Sequence, residues 1–123
     1  MIKSIKLSDF RNFVKKSFDF SDGITVVVGP NASGKTNILE SLFLLSTGKS
    51  FKVKLETEVI NYGKDLARIK GKLVGPLDLE LVQTRGENGW PRKKMLVNGV
   101  HKRLIDFAGN FKVVLLAHGI WIW

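Results

Sequence analysis

The sequence predicts an α/β domain arranged around a glycine-rich P-loop, and three observations carry that prediction. The stretch Gly29-Pro30-Asn31-Ala32-Ser33-Gly34-Lys35-Thr36 fits G-x-x-x-x-G-K-[ST]. The run before it, Ile24-Thr25-Val26-Val27-Val28, is short, apolar and β-branched, as a buried parallel strand is. The run after it, Asn37 to Ser46, holds Ile38, Leu39, Leu42, Phe43, Leu44 and Leu45, which suits a largely buried helix. Strand, glycine loop and helix in that order is the context the motif requires.

The chemistry of the loop follows from its residue types. Gly29 and Gly34 allow backbone angles and close approaches that a Cβ would block. The loop then turns its N–H groups toward a β-phosphate, above the partial positive charge of the helix N-terminus. Lys35 reaches the β- and γ-phosphates as a point charge, and the Thr36 hydroxyl completes a Mg²⁺ shell.

Composition narrows the class. A chain of 123 residues is one domain at most, long enough for a core but short for a P-loop enzyme. Hydrophobic residues at 44% and charged residues at 25% are ordinary for a globular chain. No apolar run approaches the roughly 20 residues that cross a bilayer, so no membrane partner is expected. The start, Met1-Ile2-Lys3-Ser4-Ile5-Lys6, alternates as a strand does and lacks a signal-peptide core. Without cysteine there is no disulfide framework and no thiolate metal site, and a cytoplasmic location is the default. The net charge of +9 fits a footprint for DNA or RNA, but also simple solubility or a basic face that meets another part of a larger protein. Its lysines are spread along the chain, with clusters at Lys15-Lys16 and Arg92-Lys93-Lys94.

In chain order, residues 2–8 alternate as a strand, Asp9-Phe10-Arg11-Asn12-Phe13 interrupts them, and Val14 to Phe20 resumes the pattern. These two strands and the P-loop strand are expected to begin one sheet, with Ser21-Asp22-Gly23 as a turn. The P-loop helix ends at Thr47-Gly48, where Gly48 is a natural left-handed cap. Leu55 to Asn61 reads as a helical turn or two. Leu66 to Val74 and Leu77 to Thr84 alternate as strands joined at Gly75-Pro76. A turn at Gly86-Glu87-Asn88-Gly89 precedes a strand at Lys94 to Val97, and Asn98-Gly99 is a hairpin signal. Leu104 to Gly109 reads as a short helix and Phe111 to Ala117 as another buried strand.

Candidate chemistry outside the P-loop is sparse. Asp78 and Glu80 alternate with Leu77, Leu79 and Leu81, so they lie on the opposite, solvated face of a strand. Neither follows a run of apolar residues, as the Mg²⁺-holding Asp of P-loop enzymes does. His101 and His118 have no ligand spacing and read as structural. Arg11 and Asn12 occupy a polar break that, on its residues alone, reads as a solvated turn.

Taken together, several of these stretches resemble the RecF family. They are Phe10-Arg11-Asn12-Phe13, the run from Gly23 through the P-loop to Asn37-Ile38-Leu39-Glu40, Thr47-Gly48-Lys49-Ser50-Phe51, Val97-Asn98-Gly99-Val100 and Val113-Val114-Leu115. That family comprises bacterial recombination-mediator ATPases with an ABC-type head like those of SMC proteins. The resemblance implies the first lobe of a P-loop NTPase of ABC/SMC type, a mixed sheet around the P-loop helix with an antiparallel β layer beside it. It implies ATP with Mg²⁺ as cofactors, held by Arg11, Asn12 and the run from Gly29 to Asn37, with Thr36 as the metal ligand. It also implies DNA at gaps or single-/double-strand junctions, RecO and RecR as partners, an ATP-dependent dimer and a role in loading recombinase. Ala32 stands where the family often has Gly, a change too small to block a phosphate.

The resemblance covers residues 1–115 and departs in two ways. Complete family members continue into a helical lobe, a signature motif that reaches ATP across the dimer, and a Walker B acidic pair, none of which this sequence contains. Without them the chain is expected to bind Mg-ATP or Mg-ADP with no useful hydrolysis. The remainder, 116–123, ends in Trp121-Ile122-Trp123, where a solvated terminus has no use for tryptophan. The family reads close to Phe-Ser-Pro-Glu-Asp-Leu there, and a permitted back-translation of the tail, shifted in frame, yields Ser-Pro-Arg-Asp-Leu. The tail is therefore expected to be out of frame. Two other readings stand beside this one. An ABC transporter nucleotide-binding domain usually follows the lysine with Ser-Thr or Thr-Thr, unlike Thr36-Asn37. A non-enzymatic, basic DNA-binding module would retain an inactive P-loop.

Overall fold

Alternating side chains build the larger layer. Along β1 (Ile2–Phe10), Ile5 and Leu7 are buried while Lys6 is exposed. Along β4 (Leu66–Leu73), Ala67, Ile69 and Leu73 are buried between exposed Lys70 and Lys72. The period of two sends every second residue to one face, and that face is the core. These observations come from a computed structural model that describes residues 2–20, 25–27, 35–49, 55–116 and 119–122.

Three further strands complete the layer: β2 (Phe13–Asp19), β5 (Leu77–Thr84) and β6 (Arg92–Val97), with a short β7 (Val100–Lys102) at the edge. The sheet has six strands in the order β2-β1-β4-β5-β6-β7, and each neighbouring pair is antiparallel. The hairpin signals fall where the sequence places them. Leu73 pairs with Leu77 across the Gly75-Pro76 turn. Asn98 (φ 50°) and Gly99 (φ 79°) close β6 onto β7, both in the left-handed region that suits a two-residue hairpin.

The P-loop helix, α1 (Lys35–Thr47), lies against β4 and β5 and also meets two later elements, the strand β8 (Val113–Leu116) and the short helix α2 (Leu104–Phe107). It ends as expected at Gly48, whose φ of 77° is left-handed and whose N–H donates to the Leu44 carbonyl at 2.7 Å. Leu42 and Leu45 of α1 are fully buried with Ile5, Leu7, Ile69, Leu79 and Leu81 of the sheet. Burying each such leucine stabilises the layers by about 2 kcal/mol. Glu56–Val59 forms a single 3-10 turn, and α2 (Leu104–Phe107) buries Phe107 against the same core.

The second sheet differs from the expectation. It is a three-stranded sheet in the order β3-β9-β8, formed by β3 (Thr25–Val27), β8 (Val113–Leu116) and β9 (Gly119–Ile122). Both pairings are antiparallel, so β3 and β8 run the same way on either side of β9. The strand before the P-loop thus joins neither β1 nor β2, and its hydrogen-bonded neighbour is antiparallel rather than parallel. The reason is non-local, because β3 takes its partner from Ile120, Trp121 and Ile122 of the tail.

Candidate nucleotide-binding site

The site is built where α1 begins. Residues 29–34, holding Gly29, Pro30, Asn31, Ala32, Ser33 and Gly34 of the motif, lie outside the described residues, between the end of β3 and the start of α1. The backbone of Lys35 and Thr36 forms the opening of α1. No acidic residue stands in the first turn of that helix, so nothing in it opposes an anion at its positive end. A strand running into the loop and a helix leaving it is the geometry that a phosphate cradle needs.

Arg11 and Asn12 form the turn between β1 and β2, where Phe10 pairs with Phe13. The turn is carried onto the first half of α1. Asn37 Nδ2 donates to Asn12 Oδ1 at 3.0 Å, two residues after Lys35. Arg11 grips Glu40 with two parallel bonds, Nε to Oε1 at 2.8 Å and Nη2 to Oε2 at 2.9 Å. The Glu40 side chain is fully buried and that of Arg11 is 22% exposed, so this is a partly desolvated bidentate pair. The hydrogen bond to Glu40 raises the Arg11 pKa above its ordinary value, against the opposing effect of burial.

The turn is also fixed from its other side. Asp9 and Arg11 have φ of 51° and 52°, a region that costs a side-chain-bearing residue about 1 kcal/mol. The chain from Val59, the last residue of the 3-10 turn, to Asn61 offsets this cost. Val59 accepts the Arg11 N–H at 2.7 Å, Asn61 N–H donates to the Asp9 carbonyl at 2.7 Å, and Asn61 Nδ2 donates to the Arg11 carbonyl at 2.6 Å. Phe10 bridges to Ile60 between them. Arg11 and Asn12 do form a turn, with Asn12 exposed, but the turn is not free in solvent: Arg11 is partly buried on Glu40 and Asn12 is bonded to Asn37, both on the helix that follows the P-loop.

Glu40 and Asn61 do work that their sequence context did not assign, and Asn37, expected at the nucleotide, also holds Asn12. Glu40 had a visible signal, a lone acid inside the apolar run Ile38 to Leu45. Asn61 had none, because its role depends on a contact 50 residues away. Asp78 is exposed and Glu80 lies 3.7 Å from Arg68 Nε and 3.8 Å from Lys70 Nζ, on the face turned away from α1, as a solvated face requires. His101 is exposed on β7, and His118 lies outside the described residues. Among the described residues no group of acids and histidines is placed to hold a metal ion. No described helix is long and apolar enough to cross a membrane.

Comparison with known proteins decides the family. The profile described as the RecF/RecN/SMC N terminal domain matches residues 1–79, from β1 through the P-loop and the Arg11–Glu40 pair into β5. The chain belongs to that family. Among curated relatives, a protein of Oenococcus oeni named DNA replication and repair protein RecF is 38% identical over 120 residues. The alignment spans 94% of this chain and 31% of the relative. A protein of the same name from Acaryochloris marina is 38% identical over 117 residues, 92% of this chain and 30% of its own. This chain thus spans about a third of the length of such relatives.

Solved structures agree on the fold of this RecF/RecN/SMC N-terminal domain. The recombination mediator protein described as RecF-ATPrS in the RecFOR pathway superposes with a TM-score of 0.78 at 28% identity. It covers 95% of this chain and 32% of the solved one. The corresponding RecF-ATP structure gives a TM-score of 0.76 at 28% identity, over 91% of this chain and 31% of that one. The fold is that of the first lobe of an ABC/SMC-type ATPase head, with the antiparallel layer of six strands beside the P-loop helix.

Proposed function

We propose that this chain is the ATP-binding lobe of a RecF-like recombination mediator that works on DNA during repair. The observation that carries the reading is the lock between the Arg11-Asn12 turn and α1, made by Glu40 and Asn37 directly after Lys35 and Thr36. It sets a polar turn against the positive end of the P-loop helix, where a nucleotide would sit. In this reading the loop from Gly29 to Gly34 wraps the phosphates, its backbone N–H groups other than that of Pro30 donating to them, and Lys35 offsets their charge. Thr36 holds Mg²⁺, and Asn12 and Asn37 border the nucleotide. Arg11 acts chiefly through Glu40, fixing the turn, with its remaining N–H groups available to the ligand.

The names and descriptions of the relatives support ATP as the nucleotide and DNA repair as the setting. DNA gaps or junctions as the target, RecO- and RecR-type partners, an ATP-dependent dimer and a cytoplasmic location belong to the same proposal. Binding is the activity assigned, since among the described residues no carboxylate closes an apolar strand where it would position water.

The test measures a fluorescent ATP analogue with and without Mg²⁺, and a labelled duplex in parallel. Lys35→Ala is expected to weaken nucleotide binding about a hundredfold while leaving duplex affinity unchanged, and chelation of Mg²⁺ to weaken it about tenfold. Nucleotide binding that survives Lys35→Ala undiminished would overturn the assignment of the P-loop.

A further inference from the structure

The six-stranded sheet has a second face, and the register decides which charges lie on it. Lys15 of β2 stands opposite Ser8 of β1, which stands opposite Arg68 of β4. Arg68 stands opposite Val82 of β5, and Val82 opposite Lys94 of β6. This row crosses the sheet with no acid in it. The next row along holds Lys6 opposite Lys70, and the one after that places Lys72 opposite Asp78. Arg92 continues the β6 line beyond Lys94. Lys93, between them, turns inward and donates to the Gly48 carbonyl at 2.9 Å, at the end of α1.

Among the described residues the same face carries acids at Asp19, Asp78 and Glu80, and the first two lie away from the Lys15–Arg68–Lys94 row. Glu80, opposite Lys70 in the next row, forms ion pairs with Arg68 at 3.7 Å and Lys70 at 3.8 Å. That leaves Lys6, Lys15, Lys72 and Lys94 as cations of the face with no described acid within ion-pair distance. Lys6, Lys15, Lys70, Lys72, Arg92 and Lys94 are exposed. Arg68 Nε is buried without a hydrogen-bond partner, since Glu80 at 3.7 Å is too distant to accept from it. Along β4 successive cations are about 6.7 Å apart, and from β2 to β6 the row spans about 19 Å. Among the described residues the strands turn no Phe, Tyr or Trp to this face for an unpaired base to stack on, and His101 lies at its β7 edge, away from the Lys15–Arg68–Lys94 row. A broad, rigid, basic surface of this kind complements phosphate groups arrayed on a rod.

We infer that the outer face of the six-stranded sheet is the surface that receives duplex DNA, contacting its phosphate backbone through Lys15, Arg68 and Lys94 with Lys6, Lys70 and Lys72 beside them. The inference rests on the proposal that the chain binds DNA and names the surface, on the side of the sheet away from α1. Contacts of this sort fix position without reading sequence.

The experiment titrates the 123-residue chain against a labelled duplex across a range of salt concentrations. Lys15→Glu/Lys94→Glu changes two exposed side chains on this face. Lys102→Glu/Lys112→Glu makes the same change in net charge away from it. Lys102 pairs with Met95, whose side chain packs on the core side, and Lys112 precedes β8. The face variant is expected to lose at least about tenfold in affinity, and its slope of log K against log salt to fall by about 2. The control is expected to stay within about threefold of the unaltered chain with its slope unchanged. Circular dichroism and nucleotide affinity establish that each variant is folded.

Equal losses in the two variants would make the effect one of net charge and overturn the inference while leaving the DNA-binding proposal intact. So would a face variant that binds as the unaltered chain does, which would give the face to another partner such as an acidic protein. No duplex binding by the unaltered chain would end the DNA-binding proposal itself, and the inference with it.

Discussion

At the scale of single residues, Arg11 and Glu40 are the pair on which the site depends. A carboxylate buried in a leucine-rich helix is costly to desolvate, and two charge-assisted bonds from one guanidinium offset that cost. Removing the arginine takes both bonds away while the carboxylate stays buried. Arg11→Met is therefore expected to destabilise the chain by about 3 kcal/mol, measured as a fall in the urea midpoint at unchanged slope. The Arg11 pKa is raised by its bond to Glu40, so its share of the stability is present below the ordinary arginine value and is lost only as pH climbs through the raised one. The gap in stability between Arg11→Met and the unaltered chain should thus stay constant from about pH 7 to about pH 10. A gap that closes within that window would show that the pair is held by something other than the charged guanidinium. The same variant should weaken nucleotide binding, since the turn that faces the helix start would lose its anchor.

At the scale of elements, the seat of α1 on the sheet is set by a glycine. Gly71 lies on the core face of β4, and a Cβ there would run into Leu45 Cδ2 of α1. Glycine is a poor strand former, and its presence mid-strand is explained by this close approach of helix to sheet. Gly71→Val should force α1 outward and cost about 2 kcal/mol of stability. Because α1 opens at Lys35, it should also weaken nucleotide binding. Pairing it with Leu45→Ala should restore part of both, and a double variant no better than the single would disprove the contact as the cause. Gly71 was visible in the sequence only as one position in an alternating strand. The strands themselves were legible because burial repeats every second residue, and Gly48, Gly75-Pro76 and Asn98-Gly99 marked ends and turns through their backbone preferences alone. The α1 helix was legible from its apolar run and its glycine cap. What the sequence hid were the pairings that depend on distant chain: Arg11 with Glu40 29 residues on, Asn61 with Arg11, and β3 with the tail rather than with β1 and β2. The P-loop motif was plain in the sequence, whereas the turn that sits over its helix needed the fold to bring it there.

At the scale of the whole molecule, two opposed terms govern how copies of the chain meet. The three-stranded sheet has β3 and β8 as its outer strands, and among the described residues neither pairs on its far side. Val114, Leu115 and Leu116 along β8, and Ile120 and Trp121 along β9, give that small sheet a strongly β-forming, apolar composition. Such an edge is a template for another strand. Against it stands a net charge of +9, which drives copies apart. Salt screens the repulsion, with a Debye length near 10 Å at about 0.1 M, and leaves edge pairing and apolar burial largely untouched. The chain is therefore expected to self-associate, and to do so more strongly as salt rises, while its binding to duplex DNA weakens over the same range. Sedimentation velocity at several protein and salt concentrations reads this directly. A single monomeric boundary at every concentration would show that the β3 and β8 edges are not open to pairing. Association that weakens with salt would place the contact on charged surfaces instead of on the sheet edge.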